Sequence, residues 1–407
     1  MASGLALRAA AVAAAVPVAA AVVVTGVDAL RKRRTTEVHE APRHPPRTTV
    51  VAGNALTTFT YGEYLYESML EAIEQAQEHV YIASYIWKGD ALGRRFRDAL
   101  LQATDRGVRV CVVFDGFANL VVPSSFKSFP APIHLLRFPT LRGGLPLIDI
   151  RRSGRDHRKV LVVDDKVGFV GGYNIGALYA TQWRDTHVRV EGESVWELSN
   201  TFVDFWNRHG RSALPVLPDS GAPAWDVPIR AARNEPSRVV FPVRWLYLEA
   251  IDRASDHIWI TQAYFIPDRE ILRGLLAAAD RGVDVRVITP QRSNHVVADV
   301  VARSYFAELL GGGVRIFLYQ DAMVHAKTAT VDGQWTTVGT ANIDRLSMRG
   351  NYEINLQIVD PAQAAVMEDV FRADLANCLE IDLPMWQSRD LAHRAVERMM
   401  RPLQPLL

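Results

Sequence analysis

Lysine is scarce in this chain. Of 46 Lys and Arg residues only six are lysine, at positions 32, 88, 127, 159, 166 and 327. Arginine serves wherever any cation would do, so a lysine position carries information. A compact ammonium on a flexible stem is not interchangeable with a planar guanidinium at a crowded phosphate site. Cysteine is scarcer still, at Cys111 and Cys378, which excludes a disulfide framework and a cysteine-based zinc site. Cys111 falls in the apolar run Val108 to Phe114 and reads as a small core residue. An excess of one charge is also missing. The formal net charge of +1 leaves no global basic field to recruit nucleic acid. An apolar fraction of 49% and a charged fraction of 22% are ordinary for a globular protein. The 407 residues suffice for two domains or two fused halves.

Two of the six lysines sit in equivalent places. His157, Lys159 and Asp164 form an H-x-K-x-x-x-x-D motif, and His325, Lys327 and Asp332 repeat it. His157 and Lys159 are two apart, so on an expected strand they share one face. The register continues past the motif. Gly171 and Asn174 follow Asp164 by 7 and 10 residues, and Gly339 and Asn342 follow Asp332 by the same intervals. Asp185 and Glu353 each follow the histidine of their own copy by 28 residues. One short motif is a weak signal, but two copies with further positions in register are strong.

On these residues the sequence resembles the phospholipase D superfamily of the double-motif type, and more narrowly the bacterial cardiolipin synthases, over about residues 50 to 385. Tyr264-Phe265-Ile266-Pro267-Asp268 is similar to their PYFIP stretch, with Ala263 in place of the proline. Thr340 to Arg345 is similar to their GSxNxDxRS pattern, with Thr for Ser and with Leu346 between Arg345 and Ser347. The resemblance implies an α/β fold of two fused phospholipase D-like halves, each a sheet flanked by helices, related by a pseudo-two-fold axis with the active site between them. It implies that His157 attacks phosphorus to form a phosphohistidine. His325 then protonates the leaving alcohol and deprotonates the incoming one. Lys159 and Lys327 would donate to the non-bridging oxygens, with Asn174 and Asn342 as neutral donors. Asp185 and Glu353 would each accept from the far ring nitrogen of the histidine in their own half, fixing its tautomer. Asp164 and Asp332 are expected to hold the site together rather than react. No metal or cofactor is called for.

The rest of the chain fits an internal duplication. Residues 9–27 carry no charge, while Arg31-Lys32-Arg33-Arg34 follow. The stretch is long enough to span a bilayer. The downstream charge predicts an uncleaved anchor over 1–34 with the catalytic part cytoplasmic; the rival is a cleaved signal peptide. Residues 35–49 read as a polar, Pro-rich linker, 50–214 as the first half, 215–237 as a second linker with five prolines, 238–385 as the second half and 386–407 as a basic amphipathic tail. That tail can lie on an anionic membrane or pack on the domain. Helices are predicted at 64–77, 93–106, 245–254 and 269–281, and strands at 79–87, 108–114, 257–266 and 283–289. Asp105-Arg106-Gly107-Val108 and Asp280-Arg281-Gly282-Val283 mark the clearest echo, a glycine closing a helix before a buried strand. His187, His209, His257 and His295 read as structural histidines. The expected function is a cardiolipin synthase-type phosphatidyl transfer between phosphatidylglycerol molecules at a membrane, with no nucleic acid partner. The alternatives are phospholipase D hydrolysis to phosphatidic acid and a nuclease of the same superfamily, which would need a basic, salt-sensitive groove.

Overall fold

The protein is described by a computed structural model that covers residues 19–29, 39–120, 122–123, 126, 129–139, 154–219, 221–225 and 227–407. The first half contains β1 (Arg47–Val51), β2 (Asn54–Phe59), β3 (His79–Ser84), β4 (Arg109–Asp115), β5 (His134–Phe138), β6 (Val160–Val163), β7 (Val167–Gly171), β8 (Trp183–Arg184) and β9 (His187–Glu191). The second contains β10 (Ile229–Asn234), β11 (His257–Gln262), β12 (Asp284–Pro290), β13 (Arg315–Tyr319), β14 (Met323–Val324), β15 (Lys327–Val331), β16 (Trp335–Gly339), β17 (Glu353–Val359) and β18 (Cys378–Ile381).

Each half builds an eight-stranded sheet, in the orders β1-β2-β9-β7-β6-β3-β4-β5 and β10-β17-β16-β15-β11-β12-β13-β18. The six strands from β9 to β5 match those from β17 to β13 one for one. Both sheets are mixed: β3, β4 and β5 run parallel, while β3 to β6 and β6 to β7 are antiparallel. The parallel step needs a crossover, which helix Ala91–Asp105 supplies. Asp90 caps that helix on Gly93 N, and Asp268 caps its counterpart Arg269–Asp280 on Glu270 N and Ile271 N. Gly107 and Gly282 end the two helices at φ +87° and +91°, a region a Cβ disfavours.

The uninterrupted apolar run Val160–Val163 is explained by burial on both faces. Leu161 and Val163 pack under the first half's helices. Val160 and Val162 join a core that also takes Val338, Ile354 and Leu356 from the second sheet. The two halves therefore share one hydrophobic interface.

Some boundaries differ from expectation. His157 and Lys159 precede β6 rather than lying in it, because their stretch pairs with the other half. β1 begins inside the expected 35–49 linker, and β10 lies inside the expected 215–237 linker, where the Pro-free stretch 229–234 pairs antiparallel with β17. Residues 19–29 form a helix whose Ala20, Ala21 and Val24 pack on the second half's core. The rest of the expected anchor, residues 9–18, and its basic flank Arg31 to Arg34 lie outside the described residues. No helix among the described residues is long and apolar enough to cross a membrane. The tail folds as helix Leu391–Met400 and the 3-10 segment Arg401–Leu406, with Met400 and Leu403 in the second half's core.

Candidate active site

Each motif histidine is held by the opposite half. His157 N donates to Tyr352 O at 3.0 Å, and His325 N donates to Arg184 O at 2.7 Å. A short parallel pairing of β14 with β8, and a bridge between Asp156 and Tyr352, fix these contacts. The residue after each accepting carbonyl is an acid, and it reaches the ring it has just been brought beside. Glu353 Oε2 and Oε1 lie 2.9 and 3.0 Å from His157 Nδ1. Asp185 Oδ2 lies 2.6 Å from His325 Nδ1. The expectation that each acid serves the histidine of its own half is therefore corrected: the pairs are exchanged across the interface. The physical cause is the backbone ladder between the halves, which puts Arg184-Asp185 against His325 and Tyr352-Glu353 against His157.

Lys159 and Lys327 each fold back onto the backbone carbonyl of the histidine two residues earlier. Lys159 Nζ donates to His157 O at 2.7 Å, and Lys327 Nζ donates to His325 O. Both are buried, and each ammonium acts electrostatically on the other half's histidine. Burial, then Lys159 and Lys327, hold the His157 ring well below its usual range. Burial and Lys327 bring His325 down to about 3. Both rings are thus neutral bases near pH 7. Burial lowers Lys159 to about 7 and Lys327 to about 8. The carboxylates differ from one another. Burial pulls Asp185 upward but is outweighed by Lys327 and His325, so it stays below its ordinary range. Burial raises Glu353 to about 8 against the pull of Lys159.

This gives a pH signature. As pH rises through the range set by Lys159 at about 7 and Lys327 at about 8, the ammoniums lose their protons and the site loses the charge that would hold a phosphate. We expect kcat/KM to fall across that range. The limb in kcat should lie higher, because a bound phosphate anion favours the charged lysines. A flat kcat/KM profile over those pH values would contradict the assignment.

Asn174 and Asn342 follow the strands that flank the motif. Asn174 Oδ1 accepts from Ile86 N at 3.1 Å, leaving its amide nitrogen as the available donor. Asn342 is buried and its Oδ1 has no hydrogen-bond partner among the described residues. Aromatic rings wall the histidines. Tyr85 meets His157 edge-on at 4.5 Å between centroids, and Trp183 and Tyr264 lie 4.8 and 6.4 Å from His325.

Asp164 and Asp332, written into the motif with the histidines, do not lie at the site. They close β6 and β15 at the far end, where Asp164 accepts from the backbone N–H of Gln77, Glu78 and His79 at 2.8 Å. Asp332 does the same for Ser255, Asp256 and His257 at 2.9 Å. Both have φ above +50°, a left-handed turn that Asp tolerates. Each aspartate therefore pins the start of the neighbouring strand.

Several contributors carry weaker sequence signals. Thr340, the departure from the family's serine, donates its hydroxyl to Glu353 Oε2 at 2.6 Å rather than facing a ligand. Its counterpart in the first half is Gly172, where a Cβ would overlap the Asp185 carboxylate. Gly172→Ala is expected to push Asp185 off His325 and lower turnover by roughly 10²-fold, the scale of a misplaced catalytic group, while the thermal midpoint changes little. Turnover within a few-fold of the unaltered enzyme would sink this account of the glycine. The first half also buries an Asp156–Arg158 ion pair at 2.7 Å beside His157, with the guanidinium 3.7 Å over the Phe205 ring. Val324 and Ala326 occupy the matching places in the second half. Among the described residues, no group of three or more His, Cys, Asp or Glu side chains could hold a metal ion.

The chain is similar to known proteins of one family. The family described as cardiolipin synthase, PLD-like domain, matches residues 69–206 and 247–375. The cardiolipin synthase of Listeria innocua is 31% identical over 369 residues, spanning 87% of this chain and 76% of that protein. The major cardiolipin synthase of Bacillus subtilis is 32% identical over 368 residues, with 87% and 76% covered. Among solved structures, a phosphatidylserine synthase from Haemophilus influenzae superposes with a TM-score of 0.66 at 14% identity, covering 89% of this chain and 95% of that one. A polyphosphate kinase from Porphyromonas gingivalis gives 0.51 at 12%, covering 79% and 50%. At such identities these two structures speak for the fold alone.

Proposed function

Since the chain belongs to the cardiolipin synthase family of phospholipase D-like phosphatidyltransferases, we propose that it moves a phosphatidyl group from one phosphatidylglycerol to another and releases glycerol. The observation that supports this reading is the pair of motif histidines, each braced by the opposite half's acid, with a buried lysine folded beside each. In the first step His157 Nε2 forms a bond to phosphorus while the bond to the glycerol headgroup oxygen breaks. His325 takes up a proton on Nε2 as the phosphate anion binds, which favours the imidazolium, and delivers it to this oxygen. In the second step His325 takes the proton from a hydroxyl of the second phosphatidylglycerol, whose oxygen displaces the histidine from phosphorus. Lys159, Lys327, Asn174 and Asn342 donate to the non-bridging oxygens throughout.

Residues 9–27 are proposed to hold the enzyme at the membrane with the catalytic halves in the cytoplasm. A C-terminal reporter active only outside the cytoplasm would reverse that orientation.

The test of the activity is a product assay on purified protein with labelled phosphatidylglycerol in mixed micelles. Cardiolipin with free glycerol is expected. Phosphatidic acid as the sole product would make the chain a hydrolase on the same site. Cleavage of a DNA phosphodiester without lipid turnover would discard the lipid substrate.

A further inference from the structure

The second half carries a cationic basin of about 820 Å³ that no step above uses. Seven arginines line it against three carboxylates, in a chain whose formal net charge is only +1. The carboxylates are already engaged. Asp268 and Glu270 bind Arg244, and Glu308 pairs with Arg401 at 3.1 Å. Arg269, Arg273, Arg345 and Arg398 have no carboxylate partner among the described residues, and all four are exposed.

A second cavity lies behind one wall of the basin. It is about 410 Å³, almost wholly apolar, and lined by Val22, Val297, Leu403, Leu406 and Leu407 among others. The shared wall is the 3-10 segment Arg401–Leu406. Arg401, Pro402 and Pro405 face the basin, while Leu403 and Leu406 face the crevice. The crevice is open, with Val22 67% and Leu406 58% exposed. Guanidinium groups on one side of a ridge and open aliphatic surface on the other match the two ends of a phospholipid, an anionic headgroup and an acyl chain. The face also adjoins the active site. Helix Arg345–Arg349 begins three residues after Asn342, and Leu346 N donates to Leu407 O at 3.0 Å.

We propose that this face docks the enzyme on anionic phospholipid in a bilayer surface, with the four unpaired arginines on headgroup phosphates and the crevice on an acyl chain. It is a docking surface separate from the catalytic centre, and it orients the active-site mouth toward the lipid layer. The choice of a lipid ligand rests on the phospholipid reading above. Binding is therefore measured apart from turnover, so that the two can fail separately.

The experiment is flotation of the full chain with phosphatidylcholine vesicles, with and without phosphatidylserine. Arg269→Gln, Arg273→Gln and Arg398→Gln are combined in one variant. A control variant combines Arg94→Gln, Arg211→Gln and Arg230→Gln, which lie away from the basin. Each arginine at an anionic surface contributes about fivefold to binding, so the basin variant should lose at least about tenfold of the gain that phosphatidylserine brings. Its binding to phosphatidylcholine alone, and its turnover of a water-dispersed short-chain phosphatidylglycerol, should stay unchanged, the latter showing that it is folded. The control variant should bind like the unaltered chain. A basin variant that keeps its anionic gain would overturn the proposal, and so would an equal loss in the control, which would reduce the effect to overall charge. Occupancy by inorganic phosphate with no gain on anionic vesicles would assign the basin to a soluble anion instead.

Discussion

Replacing His157 or His325 by Ala lowers turnover by at least about 10⁴-fold, and replacing both is scarcely worse than replacing either, as for groups that act as one unit. The physical reason is that neither half can complete the chemistry. In the proposed reaction one ring bonds to phosphorus while the other supplies and then removes a proton, and each ring lies against an acid belonging to the other half. The lysines act on charge rather than bonding, so Lys159→Met or Lys327→Met should cost about 10²–10³-fold each, the scale of losing one preorganised donor. Steady-state rates on phosphatidylglycerol check both statements. A His157→Ala enzyme with near-normal turnover would remove it from the reaction and throw the attack onto His325.

The exchanged acids give the second large effect. Asp185→Asn should lower turnover by roughly 10³–10⁴-fold, because an amide beside His325 favours the wrong tautomer while leaving the geometry intact. Glu353→Gln should act through His157 with a smaller loss, because burial raises the Glu353 carboxyl to about 8 and an amide resembles its protonated form. Coupling tells the pairs apart. Asp185→Asn should add almost nothing in a chain that already lacks His325, and Glu353→Gln almost nothing in a chain that already lacks His157, since contacting residues are strongly non-additive. If Asp185→Asn instead becomes silent when His157 is absent, the acids serve their own halves and the cross-interface geometry is wrong.

That exchange marks the limit of what the sequence could tell. The 28-residue interval from His157 to Asp185, repeated from His325 to Glu353, is equally compatible with either pairing. The choice is made by how the halves pack, through Trp183-Arg184 lying beside Met323-Val324. The same limit explains Asp164 and Asp332. A motif reads as one cluster, but the five residue steps from Lys159 to Asp164 span about 16 Å at about 3.3 Å per residue in an extended strand. What was legible came from local rules. Helix Gly62–Gln75, strand β4 and their counterparts lie within two or three residues of expectation, because periodicity and the closing glycines are short-range signals. The Pro-rich stretch before residue 237 hid β10, whose pairing with β17 is non-local. Thr340 was visible as a departure from the family pattern, yet only the folded chain shows its hydroxyl bound to Glu353.

The central claim is that the two halves form one site in which a single histidine carries the phosphatidyl group. The measurement that tests it most directly is rapid denaturation of the enzyme during turnover of phosphatidylglycerol labelled at phosphorus, comparing His157→Ala and His325→Ala. The account predicts a base-stable, acid-labile label that accumulates in one variant and is absent from the other. Retention in His325→Ala would assign the attack to His157, and retention in His157→Ala would assign it to His325. Label in both variants, or in neither variant nor the unaltered enzyme, would contradict the account.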